Sequence, residues 1–240
     1  MPTPAEVVDR ASDLGLEVVA TTDHYPAMHR SWRSGGDSPL LGPAGLKPPS
    51  PPPSVLDAYL DEAWSLKGAA EEAGVKLLVG LEWNSNAEFD LTDQQVRRLD
   101  VLLVEGLWGD RRRFFSDVLP VVARVRKAMG GGFPVVLAHP HFSPGLQSLA
   151  GRVAGQPDDD GATLSTIERA SLLVELNASY RAWEKDGERE FYDLLVDSSD
   201  VRFTLGSDAH SLADLGRVDS GWQYLLRRGA EGRLASWPAW

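Results

Sequence analysis

Asp208 and His210 close the run Phe203-Thr-Leu-Gly-Ser-Asp-Ala-His210, a short β-type stretch that ends in a carboxylate and an imidazole two positions apart. On an extended backbone residues i and i+2 point to the same side, so this pair can close on one divalent ion. Taken alone, Gly206-Ser207-Asp208 reads equally well as a surface turn, but the construction recurs along the chain. Leu16-Glu-Val-Val-Ala-Thr-Thr22 reads as a buried strand leading into Asp23-His24. Alternation puts His24 with Thr22 on one side, as the ligand, and Asp23 on the other, as its outer partner. Val75–Gly80 leads into Glu82 and Asn84, which share a face, and Phe133–Ala138 leads into His139 and His141 around Pro140. Ala170–Asn177 ends with Glu175 and Asn177 on one face.

The elements that must carry these residues alternate. Thr3-Pro4-Ala5-Glu6 caps a helix whose apolar face is Val7, Val8, Ala11 and Leu14, stopping at Gly15. Ser54 opens an amphipathic helix that runs to Gly74, Thr92 caps a short one, and further helices are expected over about 114–129 and 188–196. With Asp100–Val104 this gives six strands separated by helices, the pattern of a parallel sheet with right-handed crossovers. An α/β barrel and an open α/β sheet both fit, and in either the ligands bind at the carboxyl ends of the strands. His24, Glu82, His139, Asp208 and His210 all stand there, which predicts a shared metal centre. His29 has no ligand-like neighbours and reads as a loop histidine.

Between Ser31 and Ser54 the composition shifts to Ser34-Gly-Gly-Asp-Ser and Lys47-Pro-Pro-Ser-Pro-Pro-Pro, the content of a lid, a binding loop or a stiff spacer. Asp158–Asp160 reads as a solvated turn, and the aromatic tail Trp237-Pro-Ala-Trp240 as a cover for the core or the sheet bottom. At 240 residues, with 42% hydrophobic and 25% charged residues, the chain suits a single globular domain over 1–240. A formal net charge of −11 repels polyanions, which argues against a nucleic-acid partner. No cysteine is present, so disulfides, thiolate metal sites and cysteine nucleophiles are excluded; this fits a reducing cytoplasm. No run of about 18 apolar residues and no leader pattern is found, so no membrane partner is expected.

Thr22-Asp-His24, Gly80-Leu-Glu82, Ala138-His-Pro140, Glu175-Leu-Asn177 and Gly206-Ser-Asp-Ala-His210 resemble, in order, the motifs of the PHP (polymerase and histidinol phosphatase) family of phosphoesterases. The resemblance spans nearly the whole chain. It implies a distorted (β/α)7 TIM-like barrel holding up to three divalent ions, with Mn, Zn and Fe all suited to imidazole and oxygen ligands. By position it implies that Glu82 bridges two ions, that His139 binds one of them and Asp208 another, and that His24 and His210 meet at the third. Two departures stand out. Family members open on a strand bearing His-x-His, so the six strands here are the expected seven without the first. Where the family commonly places a histidine after the strand at Asp100–Val104, this chain has Glu105, Leu107 and Trp108, of which Glu105 is a candidate oxygen ligand.

The activity implied is hydrolysis of a small phosphate monoester by a metal-activated hydroxide. Arg181, Asn177 and Arg111, with Arg30 a further candidate, are placed to hold the substrate, and His141 to act as an acid or a substrate contact. A non-catalytic barrel serving as a binding or scaffold protein is the alternative, as in the barrel-like protein subunit of ribonuclease P. An amidohydrolase-type barrel acting on C–N bonds has similar ligand chemistry.

Overall fold

A computed structural model describes residues 2–25, 53–85, 87–105, 111–140, 159–185 and 189–237. The calls on His29, Arg30, His141, the proline-rich stretch through residue 52 and Trp240 lie outside them. The architecture is α/β, with six parallel strands in the order β1 to β6. In chain order these are β1 (Val18–Tyr25), β2 (Lys76–Asn84), β3 (Val101–Glu105), β4 (Val135–Ala138), β5 (Leu173–Asn177) and β6 (Phe203–Gly206). The helices are α1 (Pro4–Asp13), α2 (Pro53–Ser65), α3 (Lys67–Glu72), α4 (Asp93–Val96), α5 (Arg111–Ala128), α6 (Asp159–Arg169), α7 (Arg189–Ser198) and α8 (Asp219–Arg227). No described helix is long and apolar enough to cross a membrane. Two compact units are distinguished, the first formed within Met1–Leu103, Ala123–Phe133 and Ala209–Gly216, and the second within Val104–Val122, Pro134–Asp208 and Arg217–Trp240.

In the first unit, α1 begins as expected. Thr3 accepts from the Glu6 N–H while the Glu6 carboxylate accepts from the Thr3 N–H at 2.8 Å, a reciprocal cap behind Pro4. Its Val8 and Ala11 pack on Val19 of β1, Leu77 of β2 and Ala70 of α3. Strands β1 and β2 pair over eight residues, from Val18↔Lys76 to Tyr25↔Trp83, so both run further than the sequence suggests, through His24 and Glu82 themselves. The extension has a physical source: two parallel neighbours sustain each other's ladder well past the apolar run that starts them. The single helix expected from Ser54 to Gly74 is two, broken at Leu66, where the Ser65 hydroxyl donates to the Glu62 carbonyl at 2.7 Å and competes with the helical ladder. Asp100 fastens the start of β3 to β2: its N–H donates to the Val79 carbonyl at 2.7 Å and its carboxylate accepts from the Val79 N–H at 2.8 Å.

The second unit contains β4, β5 and β6, aligned at Leu137↔Val174 and at Val174↔Phe203 through Asn177↔Gly206. Asp159 and Asp160 do not form a turn but open α6. The chain after α8 returns to β6, with Phe203 bridged to Leu234 and the Ala235 N–H donating to the Phe203 carbonyl at 2.8 Å. Arg233 donates to the carbonyls of Leu195, Val196 and Val201, and its guanidinium lies 5.1 Å from the Phe203 ring centre.

Gly80 is a point of close strand approach in the first unit. A Cβ there would meet Val101 Cγ1 at 2.6 Å, Thr22 Cγ2 at 2.9 Å and the Val101 carbonyl oxygen at 3.0 Å. The backbone oxygen cannot move without breaking the sheet. Gly80→Ala is therefore expected to lower unfolding free energy by about 1–3 kcal/mol, read from urea denaturation of both proteins.

Candidate metal-binding residues at the strand ends

Within the first unit the β1/β2 register sets His24 opposite Glu82. Nδ1 of His24 lies 3.6 Å from Oε2 of Glu82, with the imidazole about one-fifth exposed and the carboxylate buried. The His210 ring, exposed on the segment Ala209–Gly216, stands 6.1 Å from the His24 ring, centre to centre. His24, Glu82 and His210 are thus brought together. Asp23, one residue along β1, faces the other way with Thr21, toward α2. There the Tyr59 hydroxyl lies 2.9 Å from the Gly80 carbonyl and 3.0 Å from that of Thr21, and burial pushes its phenol up, holding it protonated. Burial also lifts the Asp23 carboxyl from an ordinary 3.8 to about 6, and the charge of Glu62 adds to the shift.

The second unit gathers His139, Glu175, Asn177 and Asp208. The chain turns sharply as it leaves β4 and β6: His139 has φ 40° and Asp208 φ 49°, both in the left-handed region that costs a side chain about 1–2 kcal/mol. The i, i+2 argument for Asp208 and His210 presumes an extended backbone, and Asp208 is not extended. Instead Asp208 Oδ2 lies 3.6 Å from His139 Nε2, and Glu175 Oε2 lies 3.8 Å from that same nitrogen. Glu175 Oε2 also accepts from the His139 N–H at 3.1 Å and from Asn177 Nδ2 at 3.3 Å. Burial raises the Glu175 pKa, opposed by His139 and its N–H.

Glu175 stands outside the ligand set read from the sequence, although its alternation with Asn177 already placed both on one face. Arg181 also has a positive φ, 49°, and its guanidinium is 56% exposed and paired with Glu184 at 2.6 Å. Asn177 is turned inward, its Oδ1 accepting from the Ser179 N–H at 3.1 Å. Arg111 opens α5, and its side chain lies outside the described set. Glu105, the last residue of β3, is buried at 3% exposure.

No family model matches the chain, and neither does any curated protein.

The donor chemistry fits a divalent cation. Imidazole nitrogen and carboxylate oxygen are borderline-to-hard ligands suited to Mn, Zn and Fe, and 3.6–3.8 Å between donors is little wider than the ~3.4 Å edge of a tetrahedral site.

Asp23 supplies a test of its buried setting. Because its folded pKa is raised, the unfolded chain gives up the proton first, so the Asp23 contribution to stability falls as pH rises from about 4 to about 6 and is flat above. In chelator-treated protein, Asp23→Asn should match the wild type near pH 4 in its pH-dependent part. By pH 7 it should gain on the order of 2–3 kcal/mol over it, measured by urea unfolding at the two pH values.

Proposed function

We propose that the chain is a divalent-metal-dependent phosphoesterase on a (β/α)7-type barrel, cleaving a small phosphate monoester in the cytoplasm. What supports this most is the pairing of His24 with Glu82 in the β1/β2 ladder, an imidazole and a buried carboxylate from separate strands with donor atoms 3.6 Å apart. In this reading His24 and Glu82 offer one ligand atom each to a cation. His210 serves with His24, while His139 and Asp208 serve a further ion. Divalent ions bound there would activate a water and neutralise charge developing on the phosphoryl oxygens.

The chain's own groups supply the rest. Arg181, released from Glu184, presents a planar fork to the phosphate, and the 56% exposure of its side chain leaves it open to an incoming anion. The net charge of −11 selects for a compact anion over a polyanion, since the bulk field opposes the latter.

The test is metal content by mass spectrometry after purification with Mn and Zn and no chelator, followed by p-nitrophenyl phosphate hydrolysis. At least one ion per chain is expected, with activity lost in EDTA and reduced at least a hundredfold in His24→Ala and Asp208→Ala, about 3 kcal/mol or more of transition-state stabilisation. Hydrolysis that survives EDTA and both substitutions would sink the proposal. So would a metal-loaded protein that cleaves cyclic amides and no phosphate ester.

A further inference from the structure

We propose that Glu175 is a positioning residue that holds His139 in its ligand geometry, and that Gly206 exists as the seat for the Glu175 carboxylate. The inference rests on the metal-dependent reading of His139 and Asp208 and names what fixes them.

Four observations in the second unit carry it. First, His139 sits in the left-handed region with φ 40°, a conformation that needs an external anchor, and its N–H is bonded to Glu175 Oε2 at 3.1 Å. Second, that same oxygen lies 3.8 Å from His139 Nε2, so one carboxylate addresses both the backbone and the ring of the same histidine. Third, Asn177 donates to Glu175 Oε2 at 3.3 Å and accepts from the Tyr180 N–H at 3.4 Å. Tyr180 in turn packs edge-on against the His139 ring at 5.6 Å between centres. The imidazole is thereby braced from two sides by residues of one short segment. Fourth, the carboxylate leans diagonally across the sheet over Gly206, the ladder partner of Asn177. A Cβ on Gly206 would fall 1.8 Å from Glu175 Oε1 and 2.7 Å from its Cδ. Gly206 has no positive φ, so turn geometry is not what calls for glycine there.

Partners that orient a metal-ligating histidine are worth about 10–100-fold in metal affinity. The experiment uses the full chain and two readouts: Mn(II) affinity by titration calorimetry, and the amide proton shift of His139 by NMR in metal-free protein. Glu175→Ala and Gly206→Ala should each weaken Mn(II) binding about tenfold or more and move the His139 amide upfield, as a bond to a carboxylate is lost. The double variant should bind no worse than Glu175→Ala, since both remove the same interaction. Glu175→Gln, which keeps an acceptor of the same length, should restore most of the amide shift. Unchanged affinity and amide shift in Glu175→Ala would overturn the proposal, as would additive losses in the double variant. If the wild type bound no Mn(II), the metal-dependent reading would fail. The amide shifts would then still decide whether Glu175 anchors His139 and whether Gly206 seats it.

Discussion

Placing a carboxylate inside a parallel sheet is the constraint on which both units rest. Glu82 and Glu175 are each 4% exposed and each occupies a ladder position, where the surrounding strands exclude the water that would otherwise solvate a charge. Such a group persists only where neighbours compensate it, and each unit supplies an imidazole within 4 Å. Room must also be made. Gly80 lies two positions before Glu82, where β2 approaches Val101 and Thr22 too closely for any side chain, and Gly206 clears the space that Glu175 fills. Absence of a Cβ is thus part of the chemistry in both units, once to let strands close up and once to let a carboxylate lie down.

The two units reach an imidazole–carboxylate pair by different backbone routes. In the first, β1 and β2 stay extended through the residues concerned, so His24 and Glu82 face each other by register alone. In the second, the strands are short and the chain departs from them at left-handed residues, with His139 just past β4 and Asp208 just past β6 placed side by side. The first solution uses ladder hydrogen bonds that cost nothing extra. The second stores strain at two positions and offsets it with specific bonds, chief among them that from the His139 N–H to Glu175.

Much of the frame was legible because it is periodic or local. The caps at Thr3 and Thr92, the alternation of strands with helices and the placing of His24 and Glu82 at strand ends follow from patterns within a few residues. What escaped was set by distant neighbours. The extra residues of β1 and β2 exist because each strand has the other to bond to, and nothing in Asp23-His24-Tyr25 announces a partner 58 positions on. The spacing argument for Asp208 presumes an extended chain, and an aspartate in the left-handed region carries no sequence mark beyond the flanking glycine and serine. Glu175 was legible as a strand-end carboxylate but not as a partner of His139, because the residue whose N–H it accepts is 36 positions away. At Leu66 the break depended on a single hydroxyl choosing a helical carbonyl.

Arg233 has a bearing on how the chain is made as well as on how it stands. Its guanidinium supplies donors to the carbonyls of Leu195, Val196 and Val201, and the strand it stacks beside, β6, accepts a hydrogen bond from Ala235. The first unit likewise draws on residues as late as Gly216. During synthesis, then, neither unit can be finished by the part of the chain that begins it. The second unit cannot complete its packing around β6 before Arg233 and Ala235 have emerged, and until then the buried Glu175 must wait for part of its surroundings.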